Sequence, residues 1–348
     1  MTRAGRPRVH VIPETEERSA CAVLRLLDPF SHPAVSAVFD VSFDIRPSRT
    51  PPDILIMQRR GPPGMPEAAV EDLVRSLKGS STRLVYDLDD NLLDMHPDIT
   101  SELEIAPHRR LVRFLLRRAD LVTVSTEALR DRVLKLNSQV MILPNSLDER
   151  RLISQRTRVP LTPLKIGYFG SFTHLRDFMS IIGPLRAALS RLRGRVTVAL
   201  CGISSENRLS ALLDGFAPVQ KLPATADYNS FLKMMSEQGD WDIGLAPLAM
   251  GDFESTKSDI KFLEYAALGI PGIYSAHPVY GTIQHGLTGL IASQDEWADC
   301  LCAMAEDTAL RYRIIDASRE YLLAHRTLAT AIHKWLAILT GEVLREVP

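Results

Sequence analysis

The chain has 348 residues, 45% of them apolar, a formal net charge of −1 and four cysteines. One hydrophobic core seldom grows past roughly 250–300 residues, so this length implies two domains. Near-neutrality excludes a global attraction to nucleic acid or anionic lipid: no nucleic-acid partner is expected, and any basic surface must be local.

Cys21, Cys201, Cys300 and Cys302 lack paired metal-ligand spacing and read as reduced, buried thiols. The opening MTRAGRPRVHVIP has no apolar signal core, and no apolar run approaches the roughly 18 residues of a membrane span. A cytoplasmic protein is expected, soluble or peripheral at the inner face of a membrane.

Taken in order, the first half reads as a strand at 8–13, a helix at 16–27, strands at 35–41 and 53–57, and a helix at 67–77 after the Gly61-Pro62-Pro63-Gly64 break. A strand at 83–87, a helix at 103–118, a strand at 121–125, a helix at 127–136 and a strand at 140–143 follow. Strands alternating with helices predict a doubly wound parallel sheet. Asp87-Leu88-Asp89-Asp90-Asn91 falls at a strand's C-terminal end, where open α/β sheets place ligands. Two readings of it are a metal-holding Asp-x-Asp and a turn of helix-capping, solvated carboxylates. Just beyond stands His96. Arg109, Arg110, Arg113 and Arg117 interleave with Leu111, Val112, Leu115 and Leu116 on one helix. Such a basic face could rest on an anionic membrane or a lipid diphosphate; otherwise the apolar stripe is core and the arginines are solvated.

Residues 151–163 read as a polar linker, after which the alternation restarts with a strand at 165–169. The loop Gly170-Ser171-Phe172-Thr173-His174 opens a helix near Leu175, an arrangement that can bring backbone N–H groups to phosphate oxygens. Strands at 195–201, 219–222 and 241–246 alternate with helices at 206–213 and 228–236, with Trp241 read as core. Next comes Thr256–Ser275, where Lys257, Lys261 and Glu264 share one helical face while Ile260, Leu263 and Ala267 form an apolar stripe. Ser255 or Thr256 can cap this helix, and Gly269 with Ile270-Pro271 stops it before a short strand. Lysines at a helix start suit a diphosphate, and a carboxylate two turns in suits the vicinal hydroxyls of a ribose. Helices at 297–307, 310–323 and 328–344 close the chain.

KFLEYAALGIP, with WDIGLAPL upstream and HGLTGLI downstream, resembles the C-terminal nucleotide-sugar domain of retaining GT-B glycosyltransferases, the group of glycosyltransferase family 4. The resemblance runs from about Arg8 to the C-terminus and is strongest at 164–293. It implies an α/β GT-B fold, two doubly wound Rossmann-like domains facing a cleft: an acceptor domain at 1–150, the linker, a donor domain at 164–325, and a final helix at 326–348 returning to the first domain. That family's motif is a Glu, seven residues and a second Glu; Glu264 matches the second, whereas Thr256 stands at the first and is not acidic.

By the same resemblance, Gly170, Ser171, His174 and Arg176 would meet the donor diphosphate, and Leu222 and Pro223 would hold the base by backbone contacts. Asp252 and Glu254 would face sugar hydroxyls, with Glu254 or the lysines as a local substitute for the missing glutamate. Asp89 and Asp90, and more weakly His96, would contact acceptor or sugar. Arg176, Lys257 and Lys261 would balance the charge that builds on the leaving diphosphate, so that no metal or other cofactor is expected. The implied activity is hexosyl or deoxyhexosyl transfer from a nucleoside diphosphate sugar to a glycan or lipid-linked acceptor, as in bacterial O-antigen or capsule synthesis. Alternatives are a nucleotide-sugar epimerase or hydrolase of the same fold and a noncatalytic scaffold subunit.

Overall fold

A computed structural model describes residues 5–95, 102–152, 163–202 and 208–341, and the chain divides into two compact units. Unit 1 takes Met1–Asp148, Thr256–Ser258 and Leu328–Pro348; unit 2 takes Glu149–Ser255 and Asp259–Thr327. Of the linker expected at 151–163, residues 153–162 lie outside the described residues.

Unit 1 is built on β1 (Arg8–Ile12), β2 (Asp40–Phe43), β3 (Ile54–Gln58), β4 (Arg83–Leu88), β5 (Leu121–Val124) and β6 (Val140–Ile142), all parallel, in the order β2-β1-β3-β4-β5-β6. β3 is buried along its whole length, as a central parallel strand covered on both faces requires. The strand expected at 35–41 is displaced. His32 accepts the amide of Ala34 and Pro33 takes the first helical position, so Pro33–Ser36 is a helical turn and β2 begins only at Asp40, in register with Arg8. The helix expected at 16–27 likewise starts at Ala20, capped by Ser19, and passes through a π segment at Val23–Leu27. The helix Leu328–Thr340 belongs to this unit: Leu328, Trp335 and Ile338 share a core with Val9, Val11, Phe30 and Ile54, and Trp335 meets Phe30 edge-on at 5.5 Å.

Unit 2 carries β7 (Leu164–Phe169), β8 (Val196–Cys201), β9 (Val219–Leu222), β10 (Ile243–Ala246), β11 (Gly272–Ser275) and β12 (Leu290–Ala292), again parallel, in the order β12-β11-β10-β7-β8-β9. Trp241 is core, wholly buried against β7 at Gly167, where a Cβ would lie 1.8 Å from the indole.

Each strand order reverses once, between β1 and β3 in unit 1 and between β7 and β10 in unit 2. Loops leaving adjacent strands in opposite directions open a crevice at that point, the usual ligand position in open α/β sheets. Among the described residues no helix is long and apolar enough to cross a membrane.

Candidate functional site

At the reversal in unit 2, β7 runs out through Gly170 and Ser171 into a 3₁₀ turn, Phe172–His174, and the helix Leu175–Ser180. β10 runs out through Met250 to a second 3₁₀ turn, Glu254–Thr256. Four polar contacts organise the two loops. Arg176 Nη1 lies 3.6 Å from Glu254 Oε1, and Arg176 Nη2 donates to the Met250 carbonyl at 3.4 Å. Asp177 Oδ1 accepts the Ala249 amide at 2.9 Å, while its Oδ2 faces His174 Nδ1 at 2.7 Å. Gly251 leaves the space into which Glu254 folds, since a Cβ there would lie 2.2 Å from Glu254 Oε2. The sequence thus names His174, Arg176 and Glu254 but misses Asp177, whose signal was an acid three residues after a histidine at a helix start.

The next helix departs from expectation. It spans Ile260–Leu268 and ends at Gly269 in the left-handed conformation, φ 64°, as glycine there permits. Its start is delayed because Asp259 is clamped by both Nη atoms of Arg326 at 2.8 Å and by Thr282 at 3.1 Å. Neither Ser255 nor Thr256 caps it. Lys257 consequently precedes the helix and does not share a helical face with Lys261 and Glu264. Thr256, at the position of the missing glutamate, is buried; its carbonyl accepts from Thr126 Oγ1 at 2.8 Å, and Asn145 Nδ2 donates to Ser258 Oγ at 2.8 Å, all within unit 1.

Lys261 and Glu264 are buried, not exposed. Lys261 Nζ stands 5.6 Å over the rings of both Tyr168 and Phe169 at the end of β7. Glu264 keeps 5% of its surface, and burial pushes its carboxyl up to about 7 against a hydrogen bond from Tyr228 and the charge of Lys261. Tyr228, unremarked in the sequence, stacks on Phe231 at 5.9 Å, and Phe231 meets Phe169 at 5.1 Å. Asp252 is exposed. Leu222, buried, and Pro223, exposed, end the edge strand β9, two strands from β7.

In unit 1 the acids singled out by sequence are already engaged. Asp87 is wholly buried against Arg25 Nη2 at 2.7 Å and Thr123 Oγ1 at 2.7 Å, and Arg25 also donates to the Leu143 carbonyl and to Asn145 Oδ1. Asp89 takes Arg59 Nε at 2.6 Å and Nη2 at 3.0 Å; Asp90 takes Nη2 at 3.0 Å. Burial opposes the charge of Asp89, yet Arg59 carries its carboxyl below the ordinary value. Arg59 also reaches Glu14 at 3.2 Å, and Arg60 holds Glu14 at 2.9 Å, so the loops after β1 and β3 are tied across the reversal. Nothing in the sequence singles out Arg59. Among the described residues it is the non-glycine residue at positive φ, 48°. His96 lies outside the described residues.

On the helix Glu102–Arg118 the stripe of Leu111, Val112, Leu115 and Leu116 is core. Arg109 donates to the Met95 carbonyl at 2.9 Å and Arg110 pairs with Glu71 at 2.9 Å, whereas Arg113 and Arg117 are exposed.

No protein-family model matches the chain, and no curated protein matches it by sequence. Solved structures do match in shape. HepE of Anabaena, solved with UDP-glucose, superposes with a TM-score of 0.68 at 13% identity over 97% of this chain and 100% of that one. Sucrose-phosphate synthase of Thermosynechococcus elongatus does so with a TM-score of 0.68 at 12% identity over 97% of this chain and 99% of that one. The fold is GT-B. TarM of S. aureus, at 11% identity, gives a TM-score of 0.62 over 82% of this chain and 54% of that one. In this GT-B chain, then, His174, Arg176 and Glu254 converge at the sheet reversal of unit 2, and Lys261 and Glu264 join Phe169 and Tyr228 at the end of β7. Lys257 is grouped with unit 1 instead.

Proposed function

We propose that the chain is a glycosyltransferase, family 4-like and retaining, that moves a hexosyl or deoxyhexosyl unit from a nucleoside diphosphate to a glycan or lipid-linked acceptor of bacterial surface polysaccharide synthesis. The observation that carries this reading is the convergence of His174, Arg176 and Glu254 from the loops after β7 and β10. HepE was solved with UDP-glucose, and TarM with UDP, on the same fold.

As the donor bond breaks, negative charge grows on the diphosphate. Arg176, Lys257 and Lys261 are the cations assigned to it, with His174 beside the diphosphate and no metal expected. Glu264 takes the ribose hydroxyls, with Tyr228 donating to the same carboxyl group. Glu254 and Asp252 serve the sugar hydroxyls, Gly170 and Ser171 the phosphate through their backbone, and Leu222 and Pro223 the base. In unit 1 Asp90, the more exposed of the Arg59-bound acids, is assigned to the acceptor together with Asp89 and His96. Contact with an anionic membrane is narrowed to Arg113 and Arg117, in a cytoplasmic protein peripheral to that membrane.

A thermal-shift panel of UDP, GDP, ADP and their common sugars tests the donor reading. One base should raise the melting temperature in proportion to log concentration, because a ligand bound only by the native state stabilises it by mass action. A panel in which none acts refutes it. The burial of Thr256 in the missing glutamate's place favours a second reading, a noncatalytic subunit, which predicts a shift by a nucleotide without donor turnover under any acceptor.

A further inference from the structure

The helix Thr308–His325 buries Leu310, Ile314, Ser318 and Leu322, and Leu310 and Ile314 belong to the core of unit 2. On its other side, at 100° per residue, Tyr312, Asp316, Arg319 and Leu323 fall within a stripe about 60° wide. Steps of four, three and four residues separate them, the spacing of a coiled-coil seam. Tyr312 keeps 40% of its surface and Leu323 46%; between them Asp316 is exposed and Arg319 half-buried. Leu287, 42% exposed, flanks the stripe, because Arg313 Nε donates to the neighbouring Gly286 carbonyl at 3.2 Å. Leu323 also lines, with Asp316, Arg319, Glu320 and Ala324, a hollow of about 540 Å³. A solvated helix face is normally charged throughout, whereas this one sets a large apolar side chain at each end of an opposite-charge pair.

We propose that this stripe is a two-fold interface, on which a second copy of the chain lays the same helix antiparallel. In a two-fold contact residue i meets residue j and j meets i, so the surface must complement itself. It does so here. The midpoint of Tyr312 and Leu323 lies between Ala317 and Ser318, and so does the midpoint of Asp316 and Arg319. An axis through that point sets Asp316 against Arg319 of the second copy, and Tyr312 against its Leu323, each contact made twice. The tyrosine ring then enters the hollow that Leu323 and Ala324 line. A parallel pairing would instead set Asp316 on Asp316 and Arg319 on Arg319, which repels. Arg319 Nη1 donates to the Ala267 carbonyl of its own chain at 3.2 Å, and a guanidinium with five donors can keep that bond while meeting a carboxylate. Interfaces under about 1,200 Å² are weak, so a dimer built on one helix pair exchanges with monomer. The inference is independent of the donor reading above.

Sedimentation equilibrium of the full chain, from about 1 to about 300 μM, tests it. The wild type should be a reversible dimer. Leu323→Glu and Asp316→Arg, both at exposed positions, should each weaken it at least about tenfold. Asp316→Arg combined with Arg319→Asp re-forms the pair with its signs exchanged and should restore the dissociation constant to within about threefold. A chain that stays monomeric throughout, a dimer indifferent to both single substitutions, or a dimer that the exchange does not restore overturns the interface. Should the exchange at Arg319 prevent folding, cross-linking decides. Tyr312→Cys combined with Leu323→Cys should give a disulfide-linked dimer under mild oxidation, and neither substitution alone should, because positions about 16 Å apart cannot close a disulfide within one helix. Failure of the combined variant to cross-link overturns the antiparallel register.

Discussion

The two sheet reversals of this molecule carry similar residues to opposite ends. In unit 1, arginines and acids from the loops after β1, β3 and β4 close on one another: Arg59 satisfies Asp89 with two contacts, at 2.6 and 3.0 Å, and reaches Asp90 and Glu14 besides. That closure holds Arg59 in the left-handed region, at a cost of about 1–3 kcal/mol for a non-glycine residue. In unit 2 the corresponding pair is long, 3.6 Å between Arg176 and Glu254, and burial raises the carboxyl of Glu264, which no arginine holds down, to about 7. Charges that neutralise each other stabilise a fold and leave little for a ligand; charges and carboxyls held in imperfect surroundings are what a charged ligand can complete.

The sharpest way to break this contrast is to remove a closed pair. Arg25→Met would strand Asp87, buried with only Thr123 left to it among the contacts described, and should cost about 3–5 kcal/mol in denaturant unfolding. A cost under about 1 kcal/mol would show that unit 1 does not depend on its closed pairs.

Glu264→Gln should act in the opposite sense. The folded carboxyl is raised from an ordinary 4.5 to about 7, so the folded state binds more protons than the unfolded one between those values, and stability declines as pH rises through that window. Glutamine removes the titration. The variant should be more stable than the wild type above pH 7 by up to about 3 kcal/mol, with the advantage vanishing below the unfolded value, as followed by melting at several pH values. Equal pH profiles would mean that Glu264 is charged in the fold after all.

The smallest effect is expected at Gly251→Ala. The new Cβ, 2.2 Å from Glu254 Oε2, must push a flexible carboxylate tip away from Arg176 while the backbone holds. Stability should change by about 1 kcal/mol or less and nucleotide-sugar affinity by severalfold. Loss of the fold with no change in affinity would assign the Arg176–Glu254 pair to structure, like its counterparts in unit 1.

Much of this architecture was legible because buried parallel strands are written as short apolar runs. The apolar strands at 53–57 and 165–169 and the Gly269 stop of the helix Ile260–Leu268 were all readable. What was not legible depended on partners distant in the chain. Pro33 and His32 overrode the β-like composition of 35–41; the Asp259–Arg326 clamp, spanning 67 residues, delayed the helix and detached Lys257 from its expected face. The site divides in the same way. His174, Arg176, Glu254 and Glu264 were named from pattern and resemblance, whereas Asp177, Tyr228 and Arg59 emerge only when separate loops are brought together.

The central claim is that the carboxyl of Glu264, raised by burial, is kept for a ligand. Calorimetric titration of the nucleoside diphosphate selected by the thermal panel into the wild type and Glu264→Gln, above pH 7, addresses it most directly. The account predicts a variant that is more stable yet binds at least about tenfold more weakly; a variant that binds as tightly as the wild type would contradict it.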